Sequence, residues 1–229
     1  FGMPAIWLPE DKRAEAEKNG YAVVDPPTII ATHITEIIRA HAAEILGRQE
    51  VSSIINKIKE TKSVVVDEVL NTEKFSYGEI ENVLKNLLRE QVSIRNMEVI
   101  LETLANYGKI THNTWILTEK VREALGAQIC LQYADQDRKL RVVQLSQQWA
   151  EKILENKVDP QDGSEPYVAF SSQDGRRWIK SVSDTIAAVQ SHNFQPIILC
   201  PAEVRQLVYS STAREMKLVV ISIQEVLAA

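Results

Sequence analysis

The chain has 229 residues, of which 45% are hydrophobic and 25% charged, and its net charge is −5. These are the proportions of a folded globular protein of roughly two domains, and they exclude disordered and fibrous classes. Lys and Arg alternate with Asp and Glu along most segments, so the basic face of a nucleic-acid binder is not visible. No apolar run approaches the roughly 20 residues that cross a bilayer.

The chain opens on Phe1, with no start signal before it, so FGMPAIWLPE reads as the interior of a longer polypeptide. Residues 5–8, between Pro4 and Pro9, predict a brief strand. Residues 10–19 predict a helix ended by Gly20, and residues 21–24 a second strand stopped by Asp25, Pro26 and Pro27. A strand–helix–strand piece this small lacks sheet neighbours. Residues 1–25 are therefore expected to pack incompletely, to be mobile or to borrow contacts from a neighbouring chain.

Pro26 and Pro27 suit the first turn of a helix, and Ile30, Ile34, Ile37, Ile38 and Ile45 then recur at helical spacing. Gly47 interrupts. A second helix carries Val51, Ile54, Ile55 and Ile58, and a short third covers 64–70. Ser76 and Glu79 have capping-box spacing ahead of Ile80, Val83, Leu84, Leu87 and Leu88. After a connection holding Val92 and Ile94, another helix carries Met97, Ile100, Leu101 and Leu104 and ends at Gly108. A helix over 117–133 closes a predicted bundle spanning 46–134. A tract this periodic and this free of reactive clusters is built for protein contacts, which favours a docking or assembly module over an enzyme.

The period changes after residue 134. The expected order is a strand at 140–145, a helix at 147–156, the loop DPQDGSE and a strand at 167–170. A helix marked by Trp178, Ile179, Val182, Ile186 and Val189 follows, then a strand at Ile197–Cys200, a helix at Ala202–Thr212 and a strand at 218–222. Strands alternating with helices make 135–229 a small α/β domain. The whole chain is read as α+β: a remnant of an α/β subdomain over 1–45, the helical bundle over 46–134, then the α/β domain.

Reactive signatures are absent. There is no G-x-x-x-x-G-K-[ST], G-x-G-x-x-G, G-x-S-x-G or H-E-x-x-H string. His33, His41, His112 and His192 are scattered, so neither metal nor cofactor is expected. Cys130 and Cys200 stand far apart and read as buried thiols in a reducing compartment. The helices flanking EQVSIRN could suggest a helix-turn-helix, but the second has no Arg or Lys between Met97 and Gly108 and would read DNA poorly. Two rivals to a docking module stay open. A stand-alone enzyme with a dispersed site in the C-terminal α/β domain would show a polar cleft with perturbed titratable groups at strand ends. A nucleic-acid adaptor would show a contiguous basic face.

The string FGMPAIWLPEDKRAEAEKNGYAVVDPPTIIATHITEIIRAHAAEILGRQEV closely resembles the cytoplasmic region of the type III secretion export-gate family, which has flagellar and injectisome branches. The resemblance continues through VLKNLLREQVSIRNMEVILETLANYG and LTEKVREALGAQIC, and returns at QPIILCPAEVRQLV and LVVISIQEVL. The ATH and GRQE blocks lean towards the flagellar branch, and Asn96 stands where the family usually has Asp. The resemblance implies a protein at the cytoplasmic face of the bacterial inner membrane whose cytoplasmic regions form a nine-membered ring. Export chaperones with their substrates, and other export apparatus proteins, are the implied partners; nucleic acid is not. On this reading 1–45 is the C-terminal remainder of the first two α/β subdomains, 46–134 the helical subdomain and 135–229 the C-terminal α/β subdomain. The family's chaperone-binding dimple maps onto Phe1, Val24, Ile29 and Thr32. An aromatic ring, two aliphatic side chains and a hydroxyl make a small apolar patch with one directional hydrogen bond.

Overall fold

The computed structural model describes residues 4–213, 215–216 and 218–229; Phe1 lies outside them. A 3₁₀ turn (Glu10–Lys12) leads into α1 (Arg13–Lys18), which ends at Gly20 in the left-handed region, φ +83°. α2 (Pro26–Ala40) and α3 (Ala42–Ile45) follow. The strands expected at 5–8 and 21–24 do not form. A strand exists only with a ladder partner, and none of the described residues supplies one. Ile6 and Trp7 are accordingly 83% and 84% exposed.

The predicted bundle is present. α4 (Arg48–Lys59) starts where Glu50 Oε2 accepts the Gly47 N–H at 3.0 Å. The short third helix is α5 (Ser63–Asp67), which widens into one π turn, Glu68–Thr72. α6 (Tyr77–Arg89) begins at the predicted capping box: Ser76 Oγ accepts from Glu79 N at 3.2 Å, and Glu79 Oε2 accepts from Ser76 N at 2.8 Å. α7 spans Met97–Gly108. The single helix expected at 117–133 is two, α8 (Thr114–Ala124) and α9 (Gly126–Tyr133), broken at Leu125. Just after the break the Glu225 carbonyl oxygen lies 2.3 Å from where a Cβ on Gly126 would be, an approach that glycine alone allows.

Beyond the bundle come β1 (Val143–Gln144), α10 (Gln147–Glu155), β2 (Lys157–Val158), β3 (Tyr167–Val168) and α11 (Ser172–Ser191). β4 (Ile197–Cys200), α12 (Ala202–Thr212), β5 (Val219–Ser222) and α13 (Ile223–Leu227) complete the chain. β1 is shorter than the expected 140–145, because only Val143 and Gln144 find ladder partners, opposite Ile198 and Leu199 of β4; a turn precedes it, with Lys139 donating to Asp135 Oδ1 at 2.8 Å and accepting from Asp135 N at 3.0 Å. The antiparallel β2–β3 pair and α13 were not expected from the sequence. The main sheet is parallel, in the order β1–β4–β5. The fold is α+β.

The sheet is a shared wall. Successive strand residues point to opposite faces. Ile197 and Ile221 join the core of α4 to α9, while Ile198, Cys200 and Val220 join a second core with Trp178, Ile153 and Val204 beneath α10, α11 and α12. Each fully buried Ile or Leu contributes about 1.5–3 kcal/mol, so both faces hold the sheet in place.

A buried ionic hub ties the two cores together at the strand ends. Arg205 on α12 forks onto both oxygens of Glu119 on α8 and onto Glu90 at 2.6 and 2.9 Å. Arg122 on α8 donates to Glu90 at 3.2 Å and to the Val220 carbonyl at 3.2 Å, and its Nε lies 2.8 Å from Glu225 Oε1. Burial pushes the Glu90 carboxyl up, but Arg122 and Arg205 outweigh it and hold the group below the usual carboxylate range. The Arg205 guanidinium is desolvated, yet Glu119 and Glu90 keep it firmly protonated. Tyr209 adds a hydroxyl bond to the Arg89 carbonyl at 3.2 Å.

Candidate docking surface

α2 is helical for local reasons. Pro26 and Pro27 fill its first two positions, where the missing N–H groups would be unpaired in any case. Asp25 caps it: one carboxylate oxygen accepts Thr28 N at 3.2 Å and the other accepts Thr28 Oγ1 at 2.7 Å. Those two bonds, the side-chain one first, hold the Asp25 carboxyl below its ordinary value.

The helix then does something its periodicity does not announce. Ile30, Ile34, Ile37 and Ile38 lie on one face, yet they are 59%, 51%, 46% and 52% exposed, and no residue of α2 is buried. α6 has the same period and buries Ile80, Val83, Leu84 and Leu87 completely. The same pattern in the same chain gives a core helix in one place and an open apolar stripe in the other. Apolar surface of this extent is ordinarily covered by other protein, of the same chain or of a partner.

Of the four expected docking residues, Phe1 lies outside the described residues. Val24 and Ile29 are 49% and 43% exposed among the described residues. They occupy the positions just before the cap and four residues into the helix, the pairing of a hydrophobic staple that sets the angle at which the chain enters. Ile29 and Thr32 are three residues apart and adjoin on the helix surface. Thr32 is exposed, and its Oγ1 donates to the Thr28 carbonyl at 2.8 Å, which leaves the hydroxyl oxygen free to accept. The structure thus brings Val24, Ile29 and Thr32 to one end of α2. The sequence reading had not included the isoleucine stripe in the site, although its spacing was visible; only its exposure was not.

Away from α2, a polar cleft of ≈ 1000 Å³ is lined by Glu90, Glu119, Trp115, Tyr167 and Tyr209, among others. It touches the ionic hub at the strand ends, where a dispersed catalytic site would be sought. Both carboxylates there are occupied by guanidinium groups, and Glu90 is held ionised, which suits a structural joint better than proton transfer. Burial pushes the Cys200 thiol up to about 12, far from a nucleophile's range. Among the described residues no three His, Cys, Asp or Glu side chains converge as a metal would need, and no helix is long and apolar enough to cross a membrane.

Comparison with known proteins gives a consistent picture. The profile of the FHIPEP family matches residues 1–229. The "Flagellar biosynthesis protein FlhA" of Borreliella burgdorferi is 40% identical over 230 residues, covering 99% of this chain and 32% of the relative. The chain therefore spans about a third of the length of the curated relatives it matches. Among solved structures, the Chlamydia pneumoniae CdsV protein superposes with a TM-score of 0.85 at 27% identity, covering 99% of this chain and 64% of that one. The nonameric EPEC SctV-C shares the fold, with a TM-score of 0.79 at 22% identity over 95% of this chain and 65% of that one.

Proposed function

This chain belongs to the FHIPEP family, and from that premise we propose that it is a docking and ring-forming module of a type III protein export apparatus. In this role it works at the cytoplasmic face of the bacterial inner membrane, without enzymatic activity of its own. It binds export chaperones with their substrates and other export apparatus proteins, and associates with copies of itself. The division at residues 1–45, 46–134 and 135–229 belongs to the same proposal. The family relationship favours the flagellar branch, since the relatives at 39% to 41% identity carry the flagellar name. A nonameric neighbour of the same fold supports the ring.

The observation that supports the docking role is the capped end of α2, beside an isoleucine face that the described residues leave uncovered. Its capped end presents Val24, Ile29 and Thr32 together. An apolar patch with one hydroxyl acceptor fits a partner helix that offers aliphatic side chains and a donor at its edge. The test is a pull-down of flagellar export chaperone–substrate complexes by the complete cytoplasmic region, repeated with Thr32→Met and with Ile34→Asp. Wild type should retain the complexes and Thr32→Met should lose most of that retention, with unchanged circular dichroism in both variants. Undiminished retention by Thr32→Met removes Thr32 from the site. Failure of the wild type to retain any complex removes the docking role.

A further inference from the structure

A second surface, far from α2 in sequence, has the features of a strand-docking edge. β1 is an outer strand of the parallel sheet, paired only with β4 among the described residues. Leu145 N–H donates to the Leu199 carbonyl at 2.8 Å. Backbone groups alternate in direction along a strand. The N–H and carbonyl of Gln144 therefore point outward, where no strand pairs with them.

Beside this edge an apolar slot of ≈ 150 Å³ runs between the sheet and α11, lined by Val143, Leu145, Trp149, Trp178, Val182 and Ile186. It has room for one aliphatic side chain. At Trp149 it adjoins a second, polar hollow that holds Lys152, Asp174 and Arg177. Asp174 is bonded by Lys152 and by Ser171 and also feels the charge of Arg177, which forms no salt bridge among the described residues. With two cations and one carboxylate, the hollow carries a net positive charge.

We propose that β1 accepts an extended segment of a partner protein as a fourth strand, with an aliphatic side chain seated in the slot and a carboxylate, two residues along, against Arg177. Side chains two apart on a strand lie on one face, about 7 Å from each other, and Trp149 lines both hollows, which makes them neighbours for one face of the segment. Backbone pairing supplies orientation, and the two side chains supply selectivity. Because β1 is short and offers few backbone bonds, the aliphatic anchor dominates affinity. The partner is thus an acidic, aliphatic linear segment. The inference rests on the C-terminal sheet alone and is independent of the role assigned to α2.

The experiment is fluorescence anisotropy of a fluorescein-labelled heptapeptide with a central Ile-Thr-Glu, titrated with the full 229-residue chain. Gln144→Pro removes the outward donor while sparing the bond from Leu145 to Leu199, a substitution edge strands tolerate. It should weaken binding about tenfold. Arg177→Glu, a surface change, should weaken it at least about threefold, and replacing the peptide's Glu by Lys should do the same. Thermal melts establish that both variants are folded. No saturable binding, equal binding by both folded variants, or a preference for the lysine peptide would each overturn the proposal.

Discussion

Replacing Arg205 by Met tests whether the ionic hub holds the two cores together. The Arg205 side chain is 1% exposed and satisfies Glu90 and Glu119 by two forked contacts. Met fills much of the volume but leaves both carboxylates without that partner. Glu119 is 24% exposed and can rehydrate; Glu90 is 10% exposed and keeps only Arg122. Breaking a buried pair from one side costs about 3–5 kcal/mol, and the partial relief here argues for the lower end, about 3 kcal/mol. Urea unfolding at pH 7 should show this as a midpoint lowered by about 1–1.5 M. The pH dependence has a definite sign. Glu90 titrates lower in the folded chain than in the unfolded one, so its contribution is present above the unfolded value, about 4.3, and is lost as pH falls through the folded one. The variant lacks the Arg205 part of that contribution, and its Glu90 takes up a proton more readily. The gap between wild type and variant should therefore narrow as pH falls from 7 to 4. A loss under about 1 kcal/mol, or a gap that does not change with pH, would refute the reasoning.

Two further outcomes follow from contacts already described. Gly126→Ala places a Cβ 2.3 Å from the Glu225 carbonyl, so α13 is forced to shift; the expected loss is about 2 kcal/mol, a thermal midpoint lower by about 4–8 °C, and an unchanged melt would contradict the close approach. Cys200, its thiol pushed up to about 12 by burial, should resist a disulfide reagent at pH 8 in the native chain, while guanidinium-unfolded protein reports both Cys130 and Cys200; prompt labelling of two thiols without denaturant would show that the site opens.

The sequence was most readable where local chemistry decides. β4 and α12 occur with the predicted bounds, and Ser76 and Glu79 cap α6 as their spacing implies. It was least readable where distant residues decide. The need for glycine at 126 comes from α13, about a hundred residues onward, and the predicted N-terminal strands fail for want of partners. α13 itself begins with Ser222 and Glu225 in a capping box, a signal that was present and passed over. The hub joins Glu119, Arg122, Arg205 and Glu225 from three helices with Glu90, the residue that follows α6, and no motif links them. The isoleucine period of α2 identified a helix but could not say whether its apolar face was covered, because burial belongs to the tertiary arrangement and not to the period.

α2 also has a mechanical consequence. Its 15 residues make a rod about 22 Å long, joined to the bundle through His41 and α3, which rests on α6. The imidazole of His41 and the carboxylate of Glu44, 2.9 Å apart, brace that pivot. Rotation by about 10° at His41 displaces the capped tip by about 4 Å, given the rod's length. In the proposed docking role, a partner gripping Val24, Ile29 and Thr32 would hold the long arm of a lever whose fulcrum sits on the bundle.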